Sequence, residues 1–263
     1  MQPLFGEEGM RCLKEFIRDG VLCAFDFDGT LAPIVESPEQ ASLPEDIRQK
    51  LVSLARRARV AVITGRSVDD IRARLGFEPA YVVGNHGLEG IPDPARQGGQ
   101  YHETCRAWLR QLGPLERRLG VQIEDKTYSL SVHYRRAPDP VAAADRLREE
   151  LPTLHPAPRI VEGKFVFNLL PTQAVDKGQA IARLIEDTGG NGAIYVGDDV
   201  TDEDVFRMRR RDILSIRVEA AEHSAADFFL PAPGDIVRLL DLMIDAFDAL
   251  REHTSDCGHA IHQ

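Results

Sequence analysis

The sequence predicts an α/β protein with a Rossmann-like parallel-sheet core interrupted by a smaller inserted α+β domain. Three observations predict it. Short apolar runs at 21–25, 60–63, 80–83 and 193–196 each end abruptly in polar residues, the texture of buried parallel strands delivering loops to one edge of a sheet. Between 91 and 170 this gives way to two passages of helix, strand and strand, which reads as a small open-faced sheet, antiparallel at least within its hairpins, covered by helices on one side. After Pro171 the first texture returns, so the core is expected at 1–90 and 171–250, the insertion at 91–170 and a tail at 251–263.

Composition sets the limits. Of 263 residues, 43% are hydrophobic and 28% charged, ordinary for a folded globular chain. Against 32 lysines and arginines stand 42 acids, a net charge of −10 that argues against nucleic acid or an anionic membrane as partner of the surface as a whole. An anionic small-molecule substrate must therefore meet a local positive site. Cys12, Cys23, Cys105 and Cys257 form no Cys-x-x-Cys pair, and Cys23 lies in an apolar run where a reduced thiol packs as a small hydrophobe. Glu7 and Glu8 stand where a signal peptide needs an apolar run, and no stretch approaches the ~18 apolar residues of a membrane helix, so a cytoplasmic protein is expected.

In chain order, 4–19 reads as a helix with Leu13, Phe16 and Ile17 on one side, leading to the strand at 21–25. That strand delivers Asp26 and Asp28 into Asp26-Phe27-Asp28-Gly29-Thr30-Leu31. At such a sheet edge two neighbouring acids can hold a hard divalent cation while one attacks an electrophile; the same residues alone also suit a solvated turn. Pro44 opens a covering helix carrying Ile47, Leu51 and Leu54, and the strand at 60–63 runs into Thr64-Gly65-Arg66. Thr64 is placed either to hold a phosphoryl oxygen or to close a Ser/Thr turn. Ser67, Asp69 and Asp70 start a helix holding Val68, Ile71 and Leu75, and the strand at 80–83 exits into Gly84-Asn85-His86-Gly87. Three such exits in succession point to one shared crevice.

Pro92, Pro94, Gly98 and Gly99 mark the linker into the insertion. A helix over 103–119 carries Trp108, Leu109, Leu112, Leu115 and Leu119, and strands follow at 121–124 and 128–135. The second alternates Tyr128, Leu130, Val132 and Tyr134 with Ser129, Ser131, His133 and Arg135. After a helix over 139–151, a hairpin at 159–169 is expected to turn at Glu162-Gly163, with Phe165, Phe167 and Leu169 buried and Lys164 and Asn168 on the other face. Glu124, Ser129, His133, Arg135, Lys164 and Asn168 would then share an uncovered polar face, suited to a polyol or simply solvated.

Beyond the connector, Lys177-Gly178 opens a helix with Ile181, Leu184 and Ile185 that stops at Gly189-Gly190. A cation at a helix start opposes the dipole unless something anionic compensates. The strand at 193–196 exits into Gly197-Asp198-Asp199-Val200-Thr201-Asp202-Glu203-Asp204. Carboxylates packed this densely repel by several kcal/mol per pair at ~4 Å unless a cation intervenes. Asp202, Glu203 and Asp204 read as first-turn residues of the next helix, which leaves Asp198 and Asp199 for the metal. Strands at 213–218 and 228–230 and a helix over 236–250 close the core. The tail, with His253, Cys257, His259 and His262, is expected to be disordered, the alternative being a metal tract.

The acids, Thr64, Asn85, His86 and Lys177 together suit phosphate-monoester hydrolysis. A Mg²⁺ on carboxylates, with Lys177 and Thr64, neutralises phosphoryl oxygens, and Asp26 or an activated water is the nucleophile. Asp26-Phe27-Asp28-Gly29-Thr30-Leu31, Thr64-Gly65-Arg66, Asp176-Lys177-Gly178 and Gly197-Asp198-Asp199-x-Thr201-Asp202-Glu203 resemble, in order, the four motifs of the haloacid-dehalogenase-like phosphatases. Gly84-Asn85-His86-Gly87, Glu124-x-Lys126 and His133-Tyr134-Arg135 further resemble the trehalose-6-phosphate phosphatase family, over roughly 20–235.

The resemblance implies an aspartyl-phosphate on Asp26, with Asp28 protonating the leaving sugar oxygen and then activating water. It implies Mg²⁺ held by Asp26, the Asp28 carbonyl and Asp198 with Asp199 in support, phosphate held by Thr64 and Lys177, and a C2-type cap in the insertion. Gly65, Arg66, Asn85, His86, Glu124, Lys126, Ser129, His133, Arg135, Lys164 and Asn168 are the expected substrate contacts. One departure stands out: Asn168 occupies the place of an acidic residue of the family's cap, and an amide cannot act as a charged acceptor of sugar hydroxyls. A phosphatase for another sugar or aminocyclitol phosphate is therefore the alternative substrate reading. The alternative of another class, a non-catalytic sugar-binding relative, predicts a lost nucleophile or lysine, and Asp26 and Lys177 are both present.

Overall fold

The computed structural model describes residues 1–35, 38–91 and 98–259. Pro92, Pro94 and His262 lie outside the described residues, as do the side chains of His253, Cys257 and His259. The chain forms two compact units, Met1–Ile91 with Asp176–Gln263, and Pro92–Val175.

The first unit opens with β1 (Gln2–Pro3), α1 (Glu7–Phe16), β2 (Leu22–Phe25), α2 (Glu45–Ala55), β3 (Arg59–Ile63), α3 (Val68–Leu75) and β4 (Tyr81–Val83). The second unit holds α4 (Gly98–Leu119), β5 (Gln122–Asp125), β6 (Leu130–His133), α5 (Pro140–Glu150), β7 (Pro158–Gly163) and β8 (Val166–Pro171). The first is completed by α6 (Lys177–Asp187), β9 (Ala193–Gly197), α7 (Glu203–Phe206), β10 (Ile213–Val218), β11 (Phe228–Leu230) and α8 (Asp235–His259).

The first unit's strands make one seven-stranded sheet in the order β1-β11-β10-β9-β2-β3-β4, and every pairing is parallel. The chain runs outward through β3 and β4 on one side of β2, and through β10 and β11 on the far side of β9. Strand order therefore reverses between β2 and β9, the switch point where open α/β sheets bind ligands. Asp26 leaves β2 and Asp198 leaves β9, each one residue past its strand.

Burial on both faces explains the unbroken apolar runs: Leu22, Cys23, Ala24 and Phe25 are all 0% exposed. With period two, Cys23, Phe25, Val60, Val62, Ile194 and Val196 face the apolar sides of α1, α2, α3 and α8. Tyr195 faces the other side, where its ring meets Phe206 of α7 at 6.0 Å between centroids. The helix expected over 4–19 is shorter, Glu7–Phe16, and Gln2–Pro3 ahead of it adds a two-residue edge to β11. The closing helix expected over 236–250 runs on to His259.

In the second unit the sheet order is β5-β6-β8-β7, antiparallel throughout. Trp108, Leu112, Ala143 and Leu147 of α4 and α5 pack on Leu130, Val132, Phe167 and Leu169. The Trp108 indole N–H, buried with its ring, donates to the Pro156 carbonyl at 2.6 Å. Gly98 and Gly99, expected in the linker, begin α4, where first-turn N–H groups lack helical partners in any case. The hairpin turns at Lys164-Phe165 and not at Glu162-Gly163, since Glu162 pairs with Phe167 and Gly163 with Val166. Phe165 supplies the turn with φ 64 and is 38% exposed rather than buried. Lys164 accordingly sits at the hairpin tip, exposed, and not in line with Asn168.

Candidate active site

Lys177 is the first residue of α6 and is 2% exposed. Its ammonium donates to Asp26 Oδ1 and to Asp202 Oδ1, both at 2.7 Å, which is the anionic compensation a lysine at a helix start requires. Asp202 holds more than the lysine. Its Oδ1 also accepts the Tyr195 hydroxyl at 2.6 Å, and its Oδ2 accepts the backbone N–H groups of Asp198 and Asp199 at 2.9 and 2.8 Å. Asp198 Oδ1 accepts the Thr30 hydroxyl at 3.0 Å.

Asp26, Asp198 and Asp202 bring one carboxylate oxygen each to within 4.8 Å of one another. One ammonium does not balance three acids. Burial, reinforced by Asp202 and Asp198, raises the Asp26 pKa well above the carboxylate range even against Lys177. Burial, with Asp202 and Asp199 nearby, pushes Asp198 up to about 7. For Lys177, burial works against the charged form, yet Asp202 and Asp26 hold its pKa well above the usual lysine value.

An all-oxygen, charge-rich cluster of this kind fits a hard divalent cation such as Mg²⁺. Asp26 and Asp198 are the residues that would hold it, while Asp202, with each oxygen already accepting two hydrogen bonds, fixes the lysine and the loop after β9. Gly29 makes the approach feasible: a Cβ there would lie 2.0 Å from Asp198 Oδ2, and its φ of +89° suits glycine.

The other expected first-unit residues surround this cluster without joining it. Asp28 turns both carboxylate oxygens to Arg66, whose Nε and Nη2 donate to Oδ2 and Oδ1 at 2.7 Å. Asp199 caps the turn at 200–202 in a reciprocal box with Asp202. Thr64 is 1% exposed, and its hydroxyl oxygen accepts the Arg66 backbone N–H at 3.2 Å. Gly65 lies against His86, whose Cε1 would be 2.4 Å from a Cβ at that position. Asn85 and His86 take φ of 51° and 58°, and the Asn85 amide donates to Glu89 Oε2 at 2.9 Å; Asn and His are among the residues that tolerate this left-handed region best.

In the second unit, the register aligns Glu124 with Ser131 and Ser131 with Asn168. His133 Nε2 lies 2.9 Å and Lys126 Nζ 3.9 Å from Glu124 Oε2. The Ser131 hydroxyl donates to Asn168 Oδ1 at 2.7 Å. Ser129 is buried. Arg135 stacks on Phe165 at 4.6 Å from the ring centroid, beside the hairpin tip that carries Lys164. Glu124, Lys126 and His133 thus form one group, and Arg135 and Lys164 lie towards the hairpin end.

Sequence reasoning gave Asp202 only a helix-turn role, whereas it is the 0% exposed hub of the site. Its signal was the four-residue step from Asp198, which lets one carboxylate reach back to the loop's N–H groups. Tyr195 reads in sequence only as a strand residue, and Asp70 and Arg74, four and eight residues along from Arg66, carry no local signal of a part in the site.

Four chain segments meet at a parallel-sheet switch point, with a buried aspartate, a bridging lysine and a second aspartate after β9, and the fold is shared with a haloacid dehalogenase-like hydrolase from Bacteroides thetaiotaomicron at a TM-score of 0.59 and 14% identity, over 84% of this chain and 98% of that one. The trehalose-phosphatase family model matches residues 24–233, and the chain belongs to that family of phosphoric monoester hydrolases. A probable trehalose-phosphate phosphatase 9 of Oryza sativa subsp. japonica is 30% identical, covering 85% of this chain and 70% of its own length. The trehalose-phosphate phosphatase of Mycobacterium tuberculosis (strain H37Rv) is 34% identical over 82% of this chain, which spans 59% of that relative. The C-terminal domain of C. albicans trehalose-6-phosphate phosphatase shares the fold, with a TM-score of 0.75, 22% identity, and coverage of 93% of this chain and 99% of that domain. Among the described residues no helix is long and apolar enough to cross a membrane.

Proposed function

We propose that the chain is a Mg²⁺-dependent sugar-phosphate phosphomonoesterase that converts trehalose 6-phosphate to trehalose and phosphate. The observation that carries the reading is the buried Asp26, held by Lys177 beside Asp198 at the switch point. An Asp26 oxygen attacks phosphorus as the sugar oxygen leaves with a proton from Asp28, giving an aspartyl-phosphate. Asp28 then takes a proton from water, whose oxygen attacks phosphorus and releases phosphate and Asp26. A bound Mg²⁺ supplies charge neutralisation of the phosphoryl oxygens. Lys177 and Thr64 hold those oxygens, and Glu124, Lys126 and His133 recognise the sugar. The unpaired Cys12, Cys23 and Cys105 suit a reducing compartment, and we place the activity in the cytoplasm.

Phosphate release from trehalose 6-phosphate by purified protein tests the reading. It should be abolished by EDTA, restored by Mg²⁺, and absent in Asp26→Asn; metal-independent turnover would end the mechanism. Asn168 favours a second substrate reading, because its amide, receiving Ser131, stands where a charged acceptor is expected. A panel of sugar and aminocyclitol phosphates separates the two, the preferred substrate being that with the highest kcat/KM.

A further inference from the structure

Asp28 keeps 40% of its side chain open to solvent, so a free carboxylate there would sample several rotamers. Its direction is set by Arg66, and Arg66 is itself held. The Arg66 Nη1 donates to Asp70 Oδ2 at 2.8 Å. Asp70 is in turn gripped by Arg74, whose Nε lies 3.0 Å from both carboxylate oxygens and whose Nη2 donates to Oδ1 at 2.6 Å. Arg74 Nη1 ends the chain on the carbonyls of Glu39 and Ala41, at 2.8 and 2.9 Å.

The spacing explains the alignment. Asp70 and Arg74 lie four residues apart on α3, and Arg66 stands just before Ser67, which caps that helix by accepting the Asp70 N–H, so the Arg66 side chain meets the face that carries the other two. Both arginines are mostly buried, with 10% and 18% of their side chains exposed, which makes this geometry stiffer than a surface ion pair. We propose that Asp70 is a positioning residue: it fixes the guanidinium plane of Arg66 and through it the direction from which Asp28 delivers its proton, with Arg74 as the anchor. This rests on the reading of Asp28 as the acid of the reaction.

The leaving group supplies the test. A sugar oxygen must take a proton as it departs, whereas p-nitrophenolate departs without one, and kcat/KM reports the step in which the ester bond breaks. Misaiming Asp28 should therefore cost one ester and spare the other. In Asp70→Asn, kcat/KM for trehalose 6-phosphate should fall about tenfold, with that for p-nitrophenyl phosphate within about twofold of wild type. Arg74→Gln, which leaves Asp70 and the α3 cap in place, should show the same selective loss in smaller measure and serves if Asp70→Asn does not fold. An equal fall for both esters, or no fall for either, in the variant that folds would overturn the positioning role. Asp28→Asn checks the underlying reading separately: it should show the selective loss in extreme form. Its failure to do so, or a wild-type protein that turns over neither ester, would bring down the reading of Asp28 and the inference with it.

Discussion

Replacing Asp202 by asparagine is the sharpest perturbation of this site, since it changes one oxygen to an NH₂ at almost constant shape. Asp202 is 0% exposed and accepts four hydrogen bonds: Lys177 and Tyr195 on Oδ1, and the backbone N–H groups of Asp198 and Asp199 on Oδ2. An asparagine has one acceptor oxygen, so whichever way the amide is turned its NH₂ faces two donors. At least two hydrogen bonds to a charged acceptor are lost. At about 1.5–3 kcal/mol each, the loss is about 3–6 kcal/mol, with no discount for solvent because the group is fully buried. For a unit of this size that is about 6–24 °C in Tm. Scanning calorimetry and urea denaturation of wild type and Asp202→Asn, each at one fixed Mg²⁺ concentration, read it directly. Turnover should fall at the same time, because Lys177 and the Asp198 loop hang on the same carboxylate. A variant melting within about 2 °C of wild type would refute the claim that Asp202 is the structural hub.

Gly29→Ala should place a methyl group against Asp198 Oδ2, 2.0 Å from its present position, in a backbone conformation of φ +89°; the Mg²⁺ needed for half-maximal rate should rise about 10–100-fold, and an unchanged metal titration would count against Asp198 as the ligand. Burial alone would raise the Asp70 pKa, but Arg74 and Arg66 pull it below its ordinary 3.8. A depressed folded-state pKa gives stability that is fully present above the unfolded value and lost as pH falls through the folded one. The stability gap between wild type and Asp70→Asn in urea melts should therefore be flat above pH about 4 and close progressively below it, while a gap unaffected by acid would mean the ion pairs contribute nothing.

What the sequence made legible was local. An apolar run ending in acids announces a buried strand and its loop within about ten letters, and so the exits at Asp26, Thr64, Asn85 and Asp198 could be read directly, together with the insertion where that texture stops. What it did not make legible was pairing. Lys177 meets Asp26 across 151 positions of sequence, and Arg66 meets Asp28 across 38; nothing in either local segment states those partners. The hairpin failed for a related reason. Glycine at 163 is a local turn signal, but cross-strand pairing with Val166 keeps it in the strand and puts the turn at Lys164-Phe165. Asp202 shows the limit most clearly, because its composition suits a helix start and only the assembled sheet brings Lys177 and Tyr195 to the same oxygen. The first unit therefore carries a division of labour that follows chain distance. Residue types at the strand exits set which chemistry is available, and long-range partners, Lys177 for Asp26 and Arg66 for Asp28, separate two acids only two residues apart into a buried carboxylate beside a cationic site and a solvent-facing one held by an arginine. That separation of environments is what allows two neighbouring aspartates to take different roles.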